Sequence, residues 1–111
     1  MTNYSTGHDA EKRAAQFLSD QGFKVLELNW RNRWCEIDIV AKKDKVIYFT
    51  EVKFRQNGAN GSSLDYITPK KLKQMAFAAE FWVSTNKYDG DYCLAALGID
   101  NERFTLIDLI E

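Results

Sequence analysis

The sequence predicts one α/β domain over residues 1–111, in the order α-β-β-β-α-β-β, with a mixed central sheet flanked by helices. Three observations carry that prediction. Two segments, 7–21 and 69–85, repeat apolar residues at helical spacing. Two apolar, β-branched runs, Glu36 to Ala41 and Val46 to Phe54, are joined by the short basic connection Lys42-Lys43-Asp44-Lys45, the pattern of an antiparallel hairpin. A second apolar pair, Asp91 to Ile99 and Arg103 to Leu109, turns around Asp100-Asn101.

Ser5-Thr6 is placed to cap a first helix running from about Gly7 to Gln21. Ala10, Ala14, Phe17, Leu18 and Gln21 recur at its period, and Gly22 ends it. Phe23 to Trp30 reads as a strand leading into the hairpin. With Lys43-Asp44 as a two-residue loop, Glu36 lies opposite Glu51 and Asp38 opposite Phe49. That register puts Asp38, Glu51 and Lys53 on one face, and a one-residue slip would move Asp38 to the other. Gln56 to Asp65 is polar, holds Gly58 and Gly61, and reads as a mobile loop. Thr68 as N-cap and Pro69 in the first turn start the second helix. Its buried stripe is Leu72, Met75, Ala76, Ala79, Trp82 and Val83. Phe77 and Phe81 fall off that stripe and either cover the core or form a dimer surface.

At 111 residues, 45% hydrophobic and 28% charged, the chain is long enough for a real core and ordinary in composition. It has no apolar run long enough to span a bilayer. Its start, Met1 to His8, lacks the basic and apolar segments of a secretory signal, so the cytoplasm is the expected compartment. Cys35 and Cys93 fit reduced thiols better than a disulfide framework. A single histidine argues against zinc, and His8 reads as a surface residue. The net charge of −1 does not make a basic domain. Basic residues nevertheless crowd the hairpin, among them Arg31, Arg33, Lys53 and Arg55, and Lys70, Lys71 and Lys73 open the second helix. Such a local basic surface can hold a phosphodiester backbone. The plainer alternative is a solvated face.

Charges are depleted in strand interiors and unfavourable there unless they pair or bind a metal. Glu36-Ile37-Asp38 and Glu51-Val52-Lys53 break that rule on neighbouring strands. Asp38 and Glu51 would suit a hard divalent cation, since Mg²⁺ takes one or two carboxylates, several waters and a phosphate oxygen. A cross-strand ion pair with Lys53 is the alternative. Glu11 shares a side with apolar positions of its helix, and either approaches this site or is favoured by the helix dipole. Glu36 shares the face of Asp38 and either assists it or pairs with Arg31, Arg33 or Lys53. Lys71 either touches phosphate or is solvated. Trp30 and Trp34 flank the acidic cluster, and either stack on bases or pack in the core.

An Asp on one strand followed by Glu-x-Lys on the next resembles the PD-(D/E)xK nuclease superfamily, and more narrowly the bacterial YraN-like family. The matching residues are Gly7, Glu11, Asn29, Arg31, Glu36-Ile37-Asp38, Phe49-Thr50-Glu51-Val52-Lys53, Arg55, Thr68 and Lys71, within roughly residues 7 to 99. The chain departs from the family pattern at Ala10 and Cys35, where glycine is usual, and at Cys93, where Asp is frequent. The resemblance implies a restriction-endonuclease-like fold and a metal-dependent endonuclease. Asp38, Glu51 and Lys53 would be catalytic. Mg²⁺ or Mn²⁺ would be held by Glu11, Asp38, Glu51 and the carbonyl of Val52, with Glu36 behind them. Arg31, Arg55, Lys70 and Lys71 would contact nucleic acid, with DNA, branched or structured, as the expected substrate. Two-strand cutting by so small a member suggests a homodimer. The alternative is a catalytically silent nucleic-acid-binding module of the same fold.

Overall fold

The first helix, α1 (Asn3–Asp20), opens the computed structural model, which describes residues 3–55 and 67–109. It begins at Asn3, so Ser5 and Thr6 lie inside the helix and do not cap it. Its end is a Schellman turn. Gly22 N–H bonds the Ser19 carbonyl at 3.1 Å and Phe23 N–H the Leu18 carbonyl at 2.9 Å. Gly22 sits at φ +94°, where a side chain would be strained.

Then follow β1 (Lys24–Arg31), β2 (Glu36–Lys43), β3 (Val46–Arg55), α2 (Pro69–Asn86), β4 (Asp91–Asp100) and β5 (Arg103–Leu109), the predicted order. The sheet runs β1-β2-β3-β4-β5. Every neighbouring pair is antiparallel except β3 and β4, which are parallel and joined by the α2 crossover. The predicted loop Gln56 to Asp65 lies outside the described residues. No described helix is long and apolar enough to cross a membrane.

The β2–β3 turn is Asp44-Lys45, one residue later than expected, with both residues at positive φ (+52° and +70°). Phe49 therefore pairs with Val40, not Asp38, and the last pair is Ile39 with Thr50. Asp38 falls one step beyond, in line with Glu51. The displacement is even, so the register by itself leaves the face relation of Asp38 to Glu51 unchanged, but Ile37 and Ile39 pack on opposite faces, so alternation does not fix the face of Asp38. At the other hairpin Asp100 pairs with Arg103, so the turn is Asn101-Glu102, again one residue late, with Asn101 at φ +60°.

Each sheet face buries one helix. Ala10, Ala14 and Leu18 of α1 pack with Ile39, Ala41, Leu97 and Ile99. Met75, Ala78, Ala79 and Trp82 of α2 pack with Val40, Ile47, Phe49 and Leu94. Ala78 joins the expected stripe, while Leu72, Ala76 and Val83 are only partly buried. Trp82 Nε1 donates to Glu27 Oε2 at 2.6 Å, tying α2 to β1. Thr68 caps α2 as predicted, its hydroxyl accepting from Lys71 N–H at 3.1 Å.

The strands lose their alternation at two places: the β1–β2 register shifts between Val25 and Glu27, and a second break lies at Asp38. Ile37 packs on the α2 side although Ile39 packs on the α1 side. Across from this, Trp30 pairs with Ile37 and Leu28 with Ile39, so the intervening Asn29, at φ +52°, faces Asp38. Both strands are kinked at that level.

Candidate functional site

Asp38 sits where β2 and β3 part. The ladder ends at Ile39 and Thr50, so the next β3 backbone groups on that side need another partner. Asp38 supplies it: Oδ2 accepts from Val52 N–H at 2.8 Å. A local kink has converted a strand residue into a side-chain cap for the neighbouring strand.

The environment of Asp38 is acidic. Burial pushes its carboxyl up to about 7, and the neighbouring Glu51 carboxylate pushes the same way. The Val52 N–H opposes both, while Glu11 and Glu36 add to the rise. Glu11 thus reaches the site from α1 by its field, from a half-buried position. Glu36, exposed at the start of β2, does so from the same strand.

Glu51 is the countercharged member. Its Oε2 lies 3.2 Å from Lys71 Nζ and 3.5 Å from Lys53 Nζ, with only 13% of its side chain exposed. Lys53 reaches it from two residues along β3, and Lys71 from the first turn of α2. That turn carries no acidic residue to offset its positive end. On β4 the register partners of Glu51 and Lys53 are Ala96 and Gly98, whose small size leaves room over the sheet.

Beside these residues is an open cleft of about 480 Å³. Glu36, Glu51, Lys70 and Lys71 stand in its wall, together with Trp34 and Phe77. Asp38, Lys53 and Glu11 do not line it. Among the described residues, no three His, Cys, Asp or Glu side chains are gathered so that they could hold a metal ion. The acidic groups therefore share one field without closing on one point.

The other expected residues divide. Lys70 is exposed in the cleft wall. Arg31 is exposed at the end of β1, backbone-paired with Glu36 and outside the wall. Arg55 ends β3, and its side chain is outside what is described, as is that of His8. Trp30 packs against the α2-side core, whereas Trp34 is 63% exposed. Cys35 donates its N–H to Asn32 Oδ1 at 3.0 Å and needs no positive φ, so no glycine is required there. Cys93 pairs with Tyr48 near the start of β4, far along the strand from Gly98 beside Lys53. The sequence reading passed over Gln74 and Phe77 as cleft residues. The signal was present: Lys70, Lys73, Gln74 and Phe77 recur at helical spacing on one side of α2.

Comparison with known proteins covers nearly the whole fold. The profile of the uncharacterised protein family UPF0102 matches residues 10–109. A UPF0102 protein of Helicobacter hepaticus is 41% identical over 110 residues, 99% of this chain and 97% of that protein. One of Helicobacter pylori is 38% identical over 104 residues, 94% of this chain and 89% of that protein. One of Campylobacter hominis is 31% identical over 110 residues, 99% and 96% of the two chains. With a profile match across both helices and all five strands, and relatives matching at nearly full length, the chain belongs to UPF0102, the YraN-like family.

Proposed function

We propose that this chain hydrolyses phosphodiester bonds in nucleic acid with the aid of Mg²⁺ or Mn²⁺. The observation that carries the proposal is the Asp38 carboxylate, lodged where β2 and β3 part and sharing its field with Glu51. All donors are hard oxygens, which fits these cations. Mg²⁺ needs only one or two protein carboxylates, so Asp38 and Glu51 suffice without a closed cluster. The Val52 carbonyl is a further candidate. In a strand a residue's N–H and C=O point to the same neighbour, and the Val52 N–H points to Asp38. Glu11 is the candidate from α1. When bound, the cation would polarise the scissile phosphate and lower the pKa of a bound water.

The remaining work belongs to the chain. Lys53 stands beside Glu51 and stabilises negative charge that develops on the attacking oxygen and the phosphate. Lys71 exchanges its pairing with Glu51 for a phosphate oxygen. Lys70 and Arg31, with Arg55, contact the backbone. DNA, branched or structured, is the proposed substrate, and cutting both strands would call for a homodimer.

The test is a single-turnover cleavage screen over branched, duplex and single-stranded DNA and RNA, with Mg²⁺ and Mn²⁺. Lys53→Ala should lower the rate about 10²- to 10³-fold with most binding retained, and Glu51→Gln should be at least as impaired. Cleavage by both variants at the wild-type rate would place the activity elsewhere.

A second reading, a silent nucleic-acid-binding module, has its own support. Asp38 is already satisfied by Val52 N–H, and Glu51 by two lysines. Binding without cleavage in every lane of the screen would select it.

A further inference from the structure

The side of α2 that lines the cleft with Lys70, Lys73 and Phe77 continues to Phe81. Phe81 is the centre of an aromatic group. Trp34 stacks on it with centroids 5.5 Å apart and planes 26° apart. Phe77 meets it edge-on at 6.0 Å, and Trp30 lies at 6.4 Å. Two of these rings are left open: Trp34 is 63% and Phe77 50% exposed. Trp34 is also held in place. Asn32 Oδ1 accepts from the N–H groups of Trp34 and Cys35 at 2.8 and 3.0 Å, while Asn32 N–H bonds the Cys35 carbonyl at 3.0 Å. The ring is thus presented from an Asx turn between β1 and β2.

Cations stand beside the rings. The Arg33 guanidinium lies over the Trp34 ring, 5.3 Å from its centroid, and must swing aside for a base to stack on that face, while Lys70 and Lys73 lie along α2. With Glu36 and Glu51 in the wall beside Arg33, Lys70, Lys71 and Lys73, the face still carries a net positive charge, so two copies meeting through it would repel, as would a basic protein partner. Planar rings interleaved with cations suit a polyanion that carries aromatic bases. From Lys70 to Phe77 the helix rises about 10 Å, roughly three steps of a stacked strand at 3.4 Å each.

We infer that Trp34 and Phe77 form a stacking shelf for an unpaired nucleobase, with Lys70 and Lys73 holding the phosphates that lead from it toward Glu51. Bases inside a duplex have no free face for such a shelf. The substrate class is therefore nucleic acid with an unpaired stretch: a single strand, a flap or a gap. This inference rests on the preceding reading that the cleft takes nucleic acid.

The test is fluorescence-anisotropy titration, in EDTA, of a labelled single-stranded oligodeoxythymidine and of a closed hairpin duplex of equal charge. Trp34→Ala and Phe77→Ala should each weaken single-strand binding about 5- to 150-fold, the range of one lost base stack. Duplex binding, the melting temperature and the salt slope should be unchanged in both. Trp34→Tyr, which keeps a ring, should restore strand binding. Lys73→Ala should weaken both ligands and lower the salt slope by about one. No loss in the ring variants, or equal loss on both ligands, overturns the shelf and leaves the nucleic-acid reading standing. Failure of wild type to bind either ligand overturns both. A dimer that dissociates in Trp34→Ala or Phe77→Ala, with strand preference unchanged, assigns the rings to a subunit contact and also overturns the shelf.

Discussion

The Asp38 carboxylate takes the Val52 N–H at 2.8 Å, standing in for the backbone carbonyl that β2 no longer offers to β3. A charged group has been given a structural duty at the point where the fold keeps a gap. Its field and its hydrogen bond pull its protonation in opposite directions, and burial with Glu51 prevails.

That balance sets a pH dependence. Asp38 titrates at about 7 in the folded chain against an ordinary 3.8. The folded state therefore binds a proton that the unfolded state has released. From about pH 4 to pH 7 this group's contribution makes stability fall as pH rises, by roughly 4 kcal/mol at the upper limit. Asp38→Asn keeps an oxygen for Val52 N–H and removes the charge. Its urea midpoint should exceed that of wild type at pH 8, and the two should converge near pH 4. A variant less stable than wild type at pH 8 would show that the charge is compensated.

Divalent cations should reverse the penalty in wild type. If Asp38 and Glu51 hold Mn²⁺, millimolar Mn²⁺ at pH 8 should raise the melting temperature, with about 2.7 kcal/mol gained at 100 times Kd. Asp38→Asn should show no such rise. A flat wild-type response would count against a preformed site.

Lys71 has two partners to choose between. Removing it leaves Glu51 with Lys53 at 3.5 Å, so Lys71→Ala should fold with a melting temperature close to that of wild type. Its nucleic-acid affinity should fall, and the slope of log K against log salt should shrink by about one. An unchanged slope would mean that Lys71 serves only Glu51.

The β2–β3 turn places a lysine, Lys45, at φ +70°. A type I′ turn favours glycine at that position, and a left-handed residue with a side chain is disfavoured by about 1 kcal/mol. Lys45→Gly should therefore stabilise the chain by about that amount, read as a higher urea midpoint with an unchanged m-value. Destabilisation would show that the Lys45 side chain contributes more than its backbone strain removes.

The same turn marks how far the sequence could be read. Element order and the centre of each helix stripe follow from periodicity alone, although Gln21 is exposed and Leu72, Ala76 and Val83 are only partly buried. The turn did not, because neither Asp44 nor Lys45 is a glycine announcing positive φ. The kink at Asn29 and Asp38 was hidden for a related reason: alternation is assumed when faces are assigned, and here it fails. Lys71 reads from the sequence as either a phosphate contact or a solvated lysine, and its pairing with Glu51 is neither of these. That contact is made across the α2 crossover, and no local spacing encodes it.

The topology also sets a sequence of assembly. Asp38 and Glu51 sit on a hairpin closed by a two-residue turn, so their strands can pair through local contacts. Lys71 comes only with α2, and β4 must travel through that helix before it lies beside β3. If the hairpin pairs first, the carboxylates meet before the second lysine arrives to neutralise them. Refolding should be slowed by raising the pH through 7 and hastened by salt, and pulse-labelled hydrogen exchange should protect β2 before β4.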